Sequence, residues 1–327
     1  MADVDLSVSI GGLSLAHPLI LASGPLSVTE DQLVSFGQVA GAIVAKSTSE
    51  KPSQGSPQPR IVAIDHDGML NYEGGPNPGI DAFADIMRRS LPQMRCPIIG
   101  SMSARTLRLQ KGMERVAAQF EDAGAAALEL DFKYLYDQAS LRSDFSLEQI
   151  GETIGALRRI VSIPLIAKLA FGPTDITVLA KAAEDAGAAA ITAINTVFPG
   201  MKISIRRRMP MLSMKYGGLS GAPIRPLAVA CVYQITDAVK IPVIASGGAM
   251  TGDDVVEFLM AGASAVQIYT VAMAEKQAAF TRVNDELSAW MRDNGAARVS
   301  DLVGVVPKQI EPKRKDQQWS AFVDETE

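Results

Sequence analysis

The sequence has 327 residues, 47% hydrophobic and 20% charged, a balance that suits a soluble chain able to bury a large core. A net charge of −5 and a pI near 5.3 argue against nucleic acid or anionic membrane as a partner, because both call for a basic surface. The longest apolar stretches, such as residues 188–194, are too short to span a bilayer, and the acidic opening MADVDLSVSIGG lacks the regions of a signal peptide. Cys96 and Cys231 are too few for a cluster and sit in apolar segments, so they are expected to be buried, reduced thiols of a cytoplasmic protein.

In chain order, short apolar runs predict strands near 19–23, 41–46, 97–102, 126–131, 164–169, 189–194, 242–246 and 264–268. Two internal repeats produce all but the first of them. VAGAIVA (39–45), EDAGAAALEL (121–130), EDAGAAAITA (184–193) and LMAGASAVQI (259–268) each place a Gly between a helix-like stretch and a strand. That Gly is expected in the left-handed conformation past a helix end. MRCPIIGS (94–101), VSIPLIAK (161–168) and VKIPVIAS (239–246) each lead a Pro into a strand. Apolar periodicity predicts helices between most strands, as over 107–123 and 174–186. The strands are apolar on both faces, as helix-covered parallel strands must be. Eight β/α units predict a (β/α)8 TIM barrel. An open doubly wound sheet is the alternative, but ASGPLS (22–27) after the first strand is not GxGxxG.

In such a barrel the chemistry gathers at the C-terminal strand ends. These carry Ala22-Ser23-Gly24, Lys46-Ser47-Thr48, Lys168, Asn195-Thr196, Ser246-Gly247-Gly248 and Tyr269-Thr270. Two strand-end lysines converging on one mouth suggest an anionic or electron-rich ligand. Asn195 and Thr196 supply an amide and a hydroxyl for paired hydrogen bonds. Gly247-Gly248 alone would be no more than a tight turn; beside the lysines it reads as a phosphate loop. Two long insertions, 47–80 and 196–224, are expected to be lids or binding loops. Arg206-Arg207-Arg208 reads as a solvated face.

The motifs ASG (22–24), AKSTSEKPSQGSPQPR (45–60), GMLNYEGGPNPG (68–79), IAKLAFGPTDI (166–176), INT (194–196), GGLSGAPIRPLA (217–228), IPVIASGG (241–248) and AGASAVQIYT (261–270) resemble, in order and spacing, the dihydroorotate dehydrogenase family. The soluble class 1 type and the flavin domain of dihydropyrimidine dehydrogenase are the nearest patterns. Residues 286–304 are similar to that family's closing helix, which gives one domain over 1–304 and a polar tail over 305–327. The resemblance implies FMN, held by Ala22, Ser23, Gly24, Lys46, Ser47, Lys168, Asn195, Gly221, Gly247, Gly248, Tyr269 and Thr270. It places Lys168 at the flavin's N1/O2 edge. It implies a substrate site of Asn71, Asp131, Tyr136, Asn195 and Thr196 for a small molecule with a conjugated carbonyl or cyclic amide. A homodimer is implied as well.

The departures fall in DFKYLY (131–136), where the family reads roughly Asn-x-Ser-Cys-Pro-Asn. Tyr134 stands at the base position, and Asp131 and Tyr136 replace two Asn. Tyr269 stands where Gly is usual, and Glu73 and Gly75 are unusual in their loop. Tyr134, with Lys133 and Lys46 as charged neighbours, is expected to act as the acid/base group; the alternative is that Tyr134 and Tyr136 fill the substrate space or pack under a lid. An unscreened Asp131 would repel a substrate carboxylate, so a substrate other than dihydroorotate is expected. A true dihydroorotate dehydrogenase with an altered loop and a non-catalytic flavin-binding subunit are the alternatives.

Overall fold

The structure, a computed structural model, describes residues 4–108, 110–133 and 145–306. A short hairpin comes first, strands β1 (Val8–Ile10) and β2 (Leu13–Leu15). The turn between them is Gly11-Gly12, both at positive φ. Strands β3 (Leu19–Leu21) and β4 (Ala42–Val44) follow, separated by a helix over Glu30–Phe36 whose N-cap Thr29 forms a capping box with Gln32. The first insertion contributes β5 (Ile61–Ile64) and β6 (Gly68–Asn71). Strands β7 (Ile98–Met102), β8 (Ala127–Phe132), β9 (Leu165–Leu169) and β10 (Ala190–Ala193) come next. The second insertion holds β11 (Val197–Gly200), β12 (Ile203–Ser204), β13 (Met209–Pro210) and β14 (Gly217–Gly221). Strands β15 (Val243–Ser246) and β16 (Ala265–Ile268) complete the series.

Strands β3, β4, β7, β8, β9, β10, β15 and β16 form a closed parallel barrel in that order. All eight coincide with the strands expected from the apolar runs, and closure excludes the open sheet. Helices over Gln110–Asp122 and Ile176–Asp185 fall within the two windows expected from periodicity. Every described barrel-strand residue is buried, which is why the strands read as unbroken apolar runs rather than alternating ones. One face of the strands packs under the helices. The other fills the barrel interior with Ile20, Val44, Ile99, Ile166 and Ile244, and Ile10, Leu13 and Leu15 of the opening hairpin join this layer.

The repeat glycines divide into two kinds. Gly124, Gly187 and Gly262 are left-handed, with φ of 91°, 94° and 113°, as expected past a helix end. Gly41 is not: it lies four residues beyond that helix's C-cap at Gly37, and a Cβ there would collide with the His17 carbonyl. Close backbone approach, not handedness, requires this glycine.

The two insertions do not form separate loops. Strands β11, β14, β6 and β5 pair into one antiparallel sheet, with β6 and β14 in register from Gly218↔Asn71 to Gly221↔Gly68. Segments some 150 residues apart thus brace each other and bring Asn71 and Ser220 to the same cavity. Arg206, Arg207 and Arg208 are exposed beside the β12–β13 hairpin, as a solvated face should be. Cys231 is buried and Cys96 half-buried, both as free thiols; burial pushes them up to about 11 and about 12. Among the described residues no helix is long and apolar enough to cross a membrane.

Candidate active site

A cavity of about 1020 Å³ opens where the barrel strands end. Ala22, Ser23, Gly24, Lys46, Ser47, Asn71, Asp131, Lys133, Lys168, Asn195, Thr196, Gly221, Gly247, Gly248, Tyr269 and Thr270 all line it. The structure therefore brings together every site residue expected from the sequence except two. Tyr134 and Tyr136 lie outside the described residues.

At the cavity floor sits a network that strand-end reasoning missed. Glu129 of β8 and Lys168 of β9 are 0% and 7% exposed, with Nζ 3.3 Å from Oε1. Lys168 also donates to Gln267 Oε1 at 3.0 Å, and Gln267 donates to Glu129 Oε2 at 2.5 Å. Thr192 of β10 donates to the same oxygen at 2.9 Å. Every polar end is answered within this ring of four side chains. The signal was available, since a Glu and a Gln inside apolar strands have to be paired when buried.

Above the floor, Lys46 donates to Glu73 Oε2 at 2.6 Å. Burial draws the Lys46 amine below its ordinary value, and the Glu73 carboxylate partly offsets this. Asp131 is 3% exposed and is held from two sides. Lys133 Nζ lies 3.0 Å from its Oδ2, and Asn195 donates to its Oδ1 at 2.6 Å. The Asp131 charge in turn raises the Lys133 amine. Asn195 Oδ1 accepts from the Thr196 N–H at 2.7 Å, so this amide is largely committed to its neighbours. On the opposite wall the hydroxyls of Ser23 and Ser47 lie 3.1 Å apart, and those of Ser47 and Ser101 3.0 Å apart.

The expected repulsion by Asp131 rested on an unscreened anion, and the structure pairs it. Three lysines (46, 133, 168) and three carboxylates (73, 129, 131) line the cavity, so their formal charges cancel. Neither Lys46 nor Lys133 is a bare cation available to a phenol, because each faces a carboxylate.

The glycines give the cavity a wall of bare backbone. Gly221, Gly247 and Gly248 have φ of 87°, 132° and 94°, conformations that side chains rarely adopt. A Cβ on Gly248 would lie 2.8 Å from the Gly221 carbonyl oxygen. Thr270 donates to the Ser220 hydroxyl at 3.2 Å beside this wall. Tyr269 crosses to the other side, where its hydroxyl accepts from the Leu26 N–H at 3.2 Å and its ring covers Gly24. A concave mouth with convergent polar groups is the expected seat of a small-molecule ligand. Its glycine wall, hydroxyls and buried lysine fit a flat, polar-edged group with an anionic end.

The dihydroorotate dehydrogenase family description matches residues 5–291. The chain belongs to the dihydroorotate dehydrogenase family. It is 36% identical over 305 residues to the catalytic subunit of dihydroorotate dehydrogenase B (NAD(+)) from Geobacter sp. (strain M21), covering 92% of this chain and 98% of that one. It is 38% identical over 304 residues to the same-named protein from Maridesulfovibrio salexigens, again covering 92% and 98%. A crystal structure of DHODH from Eimeria tenella with ferulenol superposes with a TM-score of 0.75 at 23% identity, over 92% of this chain and 88% of that one. That likeness is of fold. As a member of this family the chain is an FMN-dependent oxidoreductase acting on CH–CH groups. Asp131, Glu73 and Tyr269, three of the departures, line this cavity.

Proposed function

We propose that this chain interconverts dihydroorotate and orotate. The expectation of a different substrate gains no support from the relatives, whose names specify dihydroorotate over nearly the whole chain. The observation that carries the reading is the pairing of Asp131 with Lys133 and of Glu73 with Lys46, which leaves no unpaired anion to repel a carboxylate. FMN, when bound, supplies the two-electron acceptor for a hydride from carbon. Ala22, Ser23, Gly24, Ser47, Lys168, Gly221, Gly247, Gly248 and Thr270 would hold it. Lys168, held by Glu129 and Gln267, stands at the floor of the cavity. Asn71, Asn195 and Thr196 orient the substrate. Tyr134 exchanges the neighbouring proton, taking it as phenolate in the oxidation and giving it as phenol in the reduction, while Lys133 and Lys46 are held by Asp131 and Glu73. The relatives' name gives NAD(+) and calls them catalytic subunits. Carried to this chain, it makes NAD+ the final acceptor and adds a second kind of subunit to a homodimer of this one.

A second reading, a different cyclic amide or conjugated carbonyl, is favoured by one contact. Asp131 occupies an Asn195 N–H that would otherwise serve a carboxylate. Anaerobic addition of dihydroorotate to the flavin-loaded protein decides between them. Bleaching of the flavin band supports the first reading. Bleaching only by other cyclic amides supports the second, and a protein that purifies and reconstitutes without flavin overturns both.

A pH dependence follows from Lys46. Its amine is drawn below 10.5 in the fold, so between its folded and unfolded values the unfolded chain binds more protons. In that window the Lys46 contribution to stability rises with pH. Lys133 has a raised value, so its contribution is lost only above 10.5. The difference in unfolding free energy between the wild type and Lys46→Met, followed by urea titration at increasing pH, is expected to grow in favour of the wild type below 10.5. A flat difference would remove Lys46 as the cause.

A further inference from the structure

The glycine wall lies flat on one helix, Arg225–Ala238. A Cβ on Gly247 would lie 2.9 Å from the Ala228 Cβ, and one on Gly248 would lie 2.8 Å from both the Arg225 Cβ and the Gly221 carbonyl oxygen. Arg225 opens this helix, four residues after Gly221. An arginine beside a turn that receives an anion is ordinarily its ligand. Here the neighbours Ile224 and Gly248 line the cavity and Arg225 does not. Its guanidinium is engaged on the next helix, Gly252–Met260. Nη1 donates to Asp254 Oδ1, and Nε lies 3.2 Å from Glu257 Oε2. The second Asp254 oxygen, Oδ2, accepts from the Met250 N–H at 2.8 Å and the Thr251 N–H at 3.0 Å. Asp254 is buried, so it links the arginine to the backbone leading out of Gly247-Gly248 with little competition from water. Two carboxylates therefore answer the arginine's charge, which leaves anion recognition at the wall to backbone N–H groups. Their attraction depends on how they are aimed and spaced.

We propose that Arg225 is a positioning residue for the flavin's phosphate: it does not touch the ligand but, through Asp254, holds the Gly247-Gly248 turn against Gly221 at the spacing that seats the phosphate. This rests on the reading of Gly221, Gly247 and Gly248 as residues that hold FMN. Loss of the clamp lets the turn drift. Backbone donors that have drifted lose the phosphate and spare the parts of the flavin bound elsewhere in the cavity.

The test titrates the full chain, stripped of flavin, with FMN and with riboflavin, which lacks the phosphate, and reads the quenching of flavin fluorescence. The wild type is expected to prefer FMN. Arg225→Met removes the clamp from one side. Asp254→Asn breaks its charged contact from the other, and keeps an oxygen for the Met250 and Thr251 N–H groups. Each variant is expected to lose about tenfold or more in FMN affinity while riboflavin affinity stays within about threefold of the wild type. Arg225→Lys, which retains a cation for Asp254, is expected to lose less than Arg225→Met. An equal loss for both flavins is what a merely structural role would give, and it overturns the proposal. So does unchanged FMN affinity in Asp254→Asn, the milder change, which decides where Arg225→Met fails to fold. Equal binding of FMN and riboflavin by the wild type removes the phosphate seat and overturns this proposal alone. Failure of the wild type to bind either flavin overturns the assignment of the FMN site and this proposal with it.

Discussion

Lys168→Met is expected to lower folding stability by about 3–5 kcal/mol, because it strands a buried carboxylate. Glu129 is 0% exposed and would keep only the neutral donors Thr192 and Gln267. Gln267 Oε1 would lose its partner at the same time. Urea unfolding measures the loss, and a change below about 1 kcal/mol would place it among ordinary surface substitutions. The double variant Lys168→Met, Glu129→Leu separates two reasons for having the pair. Replacing both charges by apolar groups removes the stranded anion but leaves the buried Gln267 and Thr192 without these partners, so stability is expected to recover only in part. Flavin reduction is not expected to return with it, because the cation at the cavity floor is gone. Recovery of both would make the network structural only.

That network also marks where the sequence was legible. The barrel was readable because its cause is local and repeated: apolar runs buried on both faces, each preceded by Gly or Pro at a fixed place. The cavity wall was readable for a related reason. In a parallel barrel all strand ends face one mouth, so Lys46, Lys168, Asn195 and Gly247 had to meet. The partners of these side chains were not readable. Lys46 joins Glu73 across 27 positions, and Asn195 joins Asp131 across 64. Such pairings depend on registers between strands, which no local pattern encodes. This is why Asp131 read as a lone anion in the sequence and is a neutralised one in the fold. The sheet uniting the two insertions was hidden in the same way. Neither 47–80 nor 196–224 carries a strong strand pattern, and each supplies the partner for the other.

Gly24→Ala is expected to disrupt the site, and Tyr269→Gly to rescue it. A Cβ on Gly24 would penetrate the Tyr269 ring, meeting Cζ, Cε2 and the hydroxyl. The ring has little freedom to retreat. It is half-buried, its hydroxyl accepts from the Leu26 N–H, and it packs against the main core. Burial and the nearby Glu73 charge also raise its ionisation well above the ordinary value, so it stays neutral and keeps this contact. Overpacking of this kind costs about 1–3 kcal/mol. Because Gly24 lines the cavity, a displaced ring would also intrude on the ligand space. Tyr269→Gly alone opens a void and loses aromatic burial, costing about 3–5 kcal/mol by analogy with large-to-small core changes. In the double variant the methyl has room, so the combined loss should fall short of the sum by about 1–3 kcal/mol, the range seen for residues in direct contact. Urea unfolding of the four proteins closes the cycle, and flavin content measured on the same samples follows the site. Strict additivity would mean that the ring moves aside freely. Tyr269 would then be a tolerated side chain at this strand end, whereas a strong coupling identifies it as the side chain that fixes how closely Gly24 can be approached.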